Sequence, residues 1–383
     1  MTPQFPQCER PRDAWFSPPE LHDDLKGTGL PDEMVAETLA CAWEYIRCVV
    51  PEFIDWDRYL ALVRTVALGT VVEFRGAMAD VSAGDHLLGY DLNELLDTLF
   101  RGTPGHEDMA REYRTFLLIT AEKTSDRRGS ELFRRYANAL SRSPRDWFRL
   151  RDCDALARFV IAGAMACNEL GDAWFREDEF EILTEIGVTL YDAVAYYKHR
   201  AEGETHNTFA YAGADLRIDC YRRCREVLWA LDTARVRQPK YRCAINFLRC
   251  FGGPIHMMMR RYRFAEDRLT VGMPETEHVV HQTRQNYKLW FRSEACAGSP
   301  QGPSYQDVTA QEERLLFPGF LDVLERSGTP RCGRCRYRHA YGAEAWGTFG
   351  GVELCDSCRA GWHTYLANFT ERAEQVFSLS PTV

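Results

Sequence analysis

Between Glu179 and Thr205 the chain runs without proline, with glycine only at 187 and 203, so this stretch is expected to form one long helix. At 3.6 residues per turn, Glu185, Thr189, Asp192, Tyr196 and His199 fall on a single stripe. Ile182, Ile186, Leu190, Ala193, Val194 and Tyr197 flank it. Polar groups bordered on both sides by packing residues describe a helix lining a cavity or a helix with one wet face. What other helices place opposite this one decides between the two.

Most of those other segments are helical as well. Apolar periodicity predicts helices over 32–50, where Pro51 stops the run, and over 57–80, 91–100, 106–123, 130–139, 153–169, 178–200, 215–236, 241–250, 256–264 and 275–291. No useful β-alternation interrupts them. Residues 1–30 carry five prolines and read as an extended arm, and the proline- and glycine-containing stretch 294–305 reads as a linker. The expected organisation is an all-α, bundle-like domain over 31–293, a linker and helix over 294–328, and a small module over 329–383 that ends in a helix from about 359 to 377.

Composition narrows the function. A net charge of -9 argues against binding nucleic acid through phosphate contacts. The richest apolar run, 66–72, falls far short of the roughly 20 residues of a membrane span. The N-terminus lacks the apolar core of a signal peptide. The 14 cysteines, two pairs of them tightly spaced, suit a reducing compartment, and a cytoplasmic protein is expected.

Those pairs are the strongest local signal. Cys332-x-x-Cys335 and Cys355-x-x-Cys358 are two knuckles, the second opening a helix. Each knuckle aims two thiolates at one point, and four thiolates satisfy a tetrahedral zinc ion. Disulfides or a redox dithiol are the alternatives. A closed shell of four sulfurs leaves no open position for catalysis, so a structural zinc that buttresses the helical domain is expected.

Further polar groups sit at suggestive spacings. Glu73 and Asp80, two turns apart on one face with Gly76 and Ala77 between them, leave room for a metal or ligand, unless Glu73 pairs with Arg75 or another arginine. Arginine is dense over 145–152, and Phe251-Gly-Gly-Pro-Ile-His256 precedes three methionines and Arg260-Arg261-Tyr262. Guanidinium beside aromatic and thioether surface suits a diphosphate attached to a hydrocarbon, although each cluster alone also reads as a solvated face.

The order of these features resembles a class I terpene synthase: early carboxylates, arginines before a central aspartate-bearing helix, then a late Arg-Tyr pair. The segment YDAVAYYKHRAEGE is similar to the second metal motif of those enzymes, with Asp192 and Lys198 matching, Ala195 in place of serine and His199 in place of the last carboxylate. The aspartate-rich first motif is absent. The runs WFSPPE, CAWEYIRCV, EFRG, GTPGHEDMAREYRTFLLITAEK, LYDAVAYYKHRAEGE, FGGPIHMMMRRYRF and GVELC resemble the fungal α-ionylideneethane synthase family over nearly the whole chain. Members of that family are sesquiterpene synthases lacking the usual aspartate-rich motifs.

The resemblance implies a class I terpene-synthase-like helical bundle. It also implies magnesium-assisted ionisation of farnesyl diphosphate, a small-molecule prenyl diphosphate partner, to a C15 terpene. On that basis Arg149, Arg151, Lys198, Arg261 and Tyr262, with Arg260 as a neighbour, are expected to contact the leaving group. Glu73, Asp80 and Asp192 are expected to hold magnesium, with Glu112 and Glu185 as further carboxylates. His199 is expected to bond a metal-bound water or take a proton late. Phe74, Phe116, Tyr196 and Phe251 are candidate cation-stabilising rings. Two other classes compete: a di-metal carboxylate oxidase using Glu73, Glu112, Glu185 and His199, with Glu275-x-x-His278 as its one clear motif match, and a non-catalytic zinc-stabilised scaffold.

Overall fold

The computed structural model describes residues 15–125, 130–202, 206–258, 303–328, 332–337 and 352–378. The described chain is helical apart from two two-residue hairpins, His86–Leu87 with Tyr90–Asp91 and Arg336–Tyr337 with Val352–Glu353. The helices are α1 (Asp32–Val49), α2 (Trp56–Phe74), α3 (Leu92–Phe100), α4 (His106–Lys123), α5 (Glu131–Leu140), α6 (Pro144–Asp154), α7 (Ala157–Cys167), α8 (Glu177–Glu202) and α9 (Thr208–Ala212). They continue with α10 (Arg217–Arg235), α11 (Pro239–Phe251), α12 (Ile255–Met258), α13 (Tyr305–Thr309), α14 (Glu312–Leu315), α15 (Phe320–Arg326), α16 (Asp356–Ala367) and α17 (Phe369–Phe377). The all-α architecture expected from periodicity is the one observed.

Two helices organise the bundle. α2 is buried along most of its length, as a helix apolar on nearly every side must be, and packs against α1, α3, α4 and α7. Asp55 starts it by accepting the backbone N–H of Arg58. α8 packs against α6, α7, α9, α10, α11 and α17. Most of its stripe is therefore covered by protein rather than wet.

Three expected boundaries are corrected. The second helix stops at Phe74 and gives way to a 3₁₀ turn at Gly76–Met78. A Cβ on Gly76 would lie 2.7 Å from the backbone of Ala121, so the chain there passes against α4 at a distance only glycine allows. Thr124 Oγ1 donates to Val72 O at 2.7 Å and caps the helix end. The segment expected as one helix over 153–169 is instead α6 and α7, parted at Leu156, whose φ is 51°. Asp152 bridges the break by accepting the backbone N–H of Arg158 at 2.8 Å. The third correction is the helix expected after the linker. It is three short pieces, α13 to α15, with Pro318 and left-handed Gly319 before the last.

α16 and α17 also differ from the single helix expected, breaking at Asn368. They lie on the bundle. Trp362 is 1% exposed, with ring centroids 5.9 Å from Trp147 and 5.8 Å from Tyr211. Arg372 donates to both oxygens of Glu185 at 2.9 and 2.7 Å, and Tyr365 donates to Glu185 at 3.0 Å. No described helix is long and apolar enough to cross a membrane.

Candidate active site and metal centre

A hollow of about 830 Å³, counted out to its open mouth, lies between α2 and α8. Tyr45 of α1, Val66, Gly69, Thr70 and Glu73 of α2, Phe116, Thr120 and Lys123 of α4, Tyr191 and His199 of α8, and Phe251 of α11 form its walls. Arg151, Asp154, Ala155, Leu156 and His206 complete the lining. Tyr191 stacks on Phe251 at 4.7 Å, and Arg151 lies 5.6 Å from the Tyr191 ring. One part of the hollow is aromatic and apolar, and the other carries paired charges.

The charged corner is a relay of ion pairs. Lys123 Nζ donates to Asp154 Oδ1 at 2.6 Å, and Arg151 Nη1 donates to Asp154 Oδ2 at 2.7 Å. Arg151 Nη2 donates to Asp192 Oδ1 at 2.8 Å. Asp192 Oδ2 accepts the N–H and the hydroxyl of Thr208, both at 2.8 Å, and Trp147 Nε1 donates to Thr208 Oγ1 at 3.0 Å. Asp192 is fully buried and Arg151 is 5% exposed, so each charge depends on its partner. Arg151 Nε and Thr120 Oγ1 are buried without a hydrogen-bond partner.

Burial would raise the Asp154 carboxyl, but Lys123, His206 and Arg151 together hold it well below the usual carboxylate range. A folded-state pKa below the unfolded value of about 3.9 gives stability that is complete above that value and lost as the pH falls through the folded one. Asp154→Asn should therefore lower the unfolding free energy by a constant amount above about pH 5. That difference should shrink below about pH 4, as read by denaturant melts of both proteins across the range.

The tautomer of His199 follows from its neighbour. Asn207 Oδ1 accepts the N–H of Phe209 at 3.0 Å and its Nδ2 donates to Asp192 O at 3.0 Å, which fixes the amide. Its Nδ2 also reaches His199 Nδ1 at 3.0 Å, so Nδ1 accepts and the neutral ring carries its proton on Nε2. A ring protonated there can donate but not accept. In this tautomer His199 donates through Nε2.

The remaining sequence candidates divide. Glu73, Arg151 and His199 share the hollow, and Asp192 stands behind Arg151. Arg149 and Arg151 are two residues apart on one helix and so point about 200° apart. Arg149 faces a second cleft of about 1280 Å³, pairs with both oxygens of Glu112 at 2.8 and 2.5 Å, and lies 3.7 Å over Phe317. Burial would raise the Glu112 carboxyl, but Arg149 holds it below its usual range. Glu185, raised by burial, is engaged by the C-terminal helices. Asp80, beyond the end of α2, accepts from Ser82 rather than facing Glu73's site. Lys198 is buried but does not line the hollow. Phe74 and Tyr196 are buried away from it, whereas Phe116 and Phe251 line it. Arg260, Arg261, Tyr262, Glu275 and His278 lie outside the described residues.

Sequence reasoning missed Lys123, Asp154 and His206. Asp154 follows Arg151 by three residues on one helix, a spacing that pairs side chains and could have suggested it. Lys123 and His206 reach the hollow only through packing.

The second centre is the four-cysteine group. The Sγ atoms of Cys332, Cys335, Cys355 and Cys358 lie within 4.8 Å of one another, and Cys332 and Cys355 are 3.8 Å apart. A tetrahedron of metal–sulfur bonds near 2.3 Å has edges of about 3.8 Å, whereas a disulfide brings its sulfurs to about 2.05 Å. Backbone N–H groups of Arg334 and Cys335 pull the Cys332 thiol down to about 6. The group could hold a metal ion, with Cys355 at the N-cap of α16 as expected. Among the described residues it is the one cluster of three or more His, Cys, Asp and Glu side chains close enough to share an ion. Glu73, Glu112, Glu185 and His199 form no such cluster, so the described residues give the di-metal oxidase no site.

Fold and site together define a helical protein with a hollow between α2 and α8, polar at one end and aromatic elsewhere, and a four-cysteine centre on its C-terminal flank. The chain belongs to the alpha-ionylideneethane synthase aba3 family, whose model matches residues 13–379. It is 58% identical to the alpha-ionylideneethane synthase aba3 of Botryotinia fuckeliana strain B05.10 over 373 residues, 97% of this chain and 85% of the relative. It is 52% identical to the alpha-ionylideneethane synthase abl3 of Leptosphaeria maculans over 368 residues, 96% of this chain and 86% of the relative. The corresponding protein of Pyricularia oryzae is 47% identical over 440 aligned positions, covering 98% of this chain and 84% of the relative.

Proposed function

We propose that this enzyme is a class I terpene-synthase-like sesquiterpene synthase. It would ionise farnesyl diphosphate and release diphosphate and a C15 terpene of the α-ionylideneethane type. The observation that carries the reading is the pairing of Lys123 and Arg151, held apart by Asp154, with an aromatic chamber beyond them. Heterolysis of the allylic C–O bond leaves the electron pair on diphosphate and a cation on the hydrocarbon. Lys123, Arg151 and the Nε2–H of His199 would take the developing negative charge by hydrogen bonds, where it forms and in a site drier than bulk water. Phe116, Tyr191 and Phe251 would face the cation with their π surfaces. Loss of a proton from the cation yields the neutral product.

Magnesium is proposed to accompany the diphosphate and supply further positive charge to its oxygens. Glu73, a carboxylate that lines the hollow, is the residue proposed to hold it through oxygen, as a hard cation requires. The described carboxylates do not compose a cage for several ions. Zinc is proposed for the four-cysteine centre, where its role is structural.

Incubation with farnesyl diphosphate and magnesium, solvent extraction and gas chromatography should give a C15 product with one diphosphate released per turnover. No product, or release of diphosphate with farnesol alone, would overturn the reading. The chamber's depth is set partly by Gly69, whose added Cβ would lie 3.0 Å from Phe116 Cε1. Gly69→Ala gains about 1 kcal/mol of helix propensity, so the fold should persist while the ring is pushed into the hollow. The product ratio should change by several-fold with a melting temperature within a few degrees of wild type. An unchanged product profile would show that this wall does not shape the substrate.

A further inference from the structure

The segment that holds Asp192 and His199 in place is short. Residues 206–212 contribute Asn207, which fixes the His199 tautomer, and Thr208, which accounts for both hydrogen bonds to Asp192 Oδ2. One side of this segment lies on α8. The other lies on α16, the helix that starts at Cys355 of the metal centre. His363 Nε2 is 3.0 Å from Ala212 O, the carbonyl at the end of α9. A carbonyl only accepts, so the ring donates. One turn of helix from the cysteines, Trp362 packs between Tyr211 and Trp147, and Trp147 itself donates to Thr208.

We propose that the four-cysteine module is a positioning element of the central site. The metal-anchored start of α16 fixes Trp362 and His363, these hold residues 206–212, and that segment presents Thr208 to Asp192 and Asn207 to His199. Neither His363 nor Trp362 lines the hollow, so they are positioning residues. The part that concerns turnover rests on the synthase reading above; the part that concerns order in 206–212 does not.

The test uses the full-length protein. Hydrogen–deuterium exchange is followed in peptides covering 206–212 and, as a control, in α2 and α3, with metal bound and after chelation. His363→Ala and His363→Gln are compared, because glutamine can place a donor near the position of Nε2. Chelation and His363→Ala should each speed exchange in 206–212 by about tenfold, the scale of one lost hydrogen bond, and leave α2 and α3 protected. His363→Ala should keep its metal and lower kcat by about tenfold with KM within about twofold, and His363→Gln should recover most of both effects.

Exchange in 206–212 that stays at the wild-type rate in a metal-replete His363→Ala protein would overturn the proposal, as would acceleration spread evenly over the chain. If chelation unfolds the whole protein, the metal-replete His363 pair decides alone. Selective acceleration in a protein that turns over no prenyl diphosphate would refute the activity and leave the coupling standing.

Discussion

Asp192→Asn is expected to reduce kcat by at least about a hundredfold and to destabilise the protein by about 3 kcal/mol. Asp192 is fully buried and accepts from Arg151 and twice from Thr208, so the amide would meet a guanidinium with no carboxylate behind it. Breaking a buried pair on one side costs about 3–5 kcal/mol, and Arg151 retains Asp154, which places the expectation at the lower end. A hundredfold loss is about 2.7 kcal/mol in the barrier, comparable to the stability loss, and arises because Arg151 loses one of the two carboxylates that direct it. Arg151→Met with Asp192→Asn should recover at most part of that stability, because Asp154 loses Arg151 as well, and none of the turnover. Steady-state kinetics and denaturant melts of the three proteins check this. A fully active Asp192→Asn would remove the relay from the mechanism.

Cys355→Ser is expected to lose about one zinc ion per chain and to free the C-terminal helices from the bundle. Structural zinc contributes about 10–16 kcal/mol in small peptides at neutral pH, comparable to or above the 5–15 kcal/mol that holds a whole domain together. Without it, α16 loses its anchored start. Trp362, Phe369 and Phe377, all at most 3% exposed, would then depend on contacts too few to order them. Glu185 would lose Arg372 and Tyr365, the groups that engage its carboxylate. Metal analysis, thermal melting and limited proteolysis between 328 and 352 report the three effects. Cys220→Ser is the control: its thiol is buried away from the cluster and its loss should release no metal. A Cys355→Ser protein with full metal content and unchanged melting would refute a four-sulfur site.

The long helix and the fate of its stripe show what the sequence contained. Period alone put Glu185, Asp192 and His199 on one face of α8, and they are all buried there. It could not say that the face meets three different neighbours: α17 at Glu185, α6 at Asp192 and the 206–212 segment at His199. Those partners lie up to 187 residues away, and nothing local encodes them. The cysteine knuckles were legible because spacing alone carries their geometry. Asp80 was misplaced for the opposite reason. The two-turn argument needed a continuous helix, and the close passage at Gly76 that ends it is a tertiary fact. Arg149 shows a simpler lesson, since a cluster in sequence is split by helical rotation into two compartments.

Lys123 and Arg151 bring two positive charges to the hollow, while Asp154 and Glu73 line it and Asp192 stands behind, so the corner carries no net positive charge at rest. It therefore sets up no far-reaching pull on an anion, and the molecule around it is acidic. Arrival of a headgroup should be nearly insensitive to ionic strength. What the corner rewards is valence at contact: a phosphomonoester, with about 1.5–2 negative charges at neutral pH, competes less well with Asp154 for Lys123 than a trianionic diphosphate does. The enzyme would then sort phosphomonoesters from diphosphates by a threshold crossed only after docking.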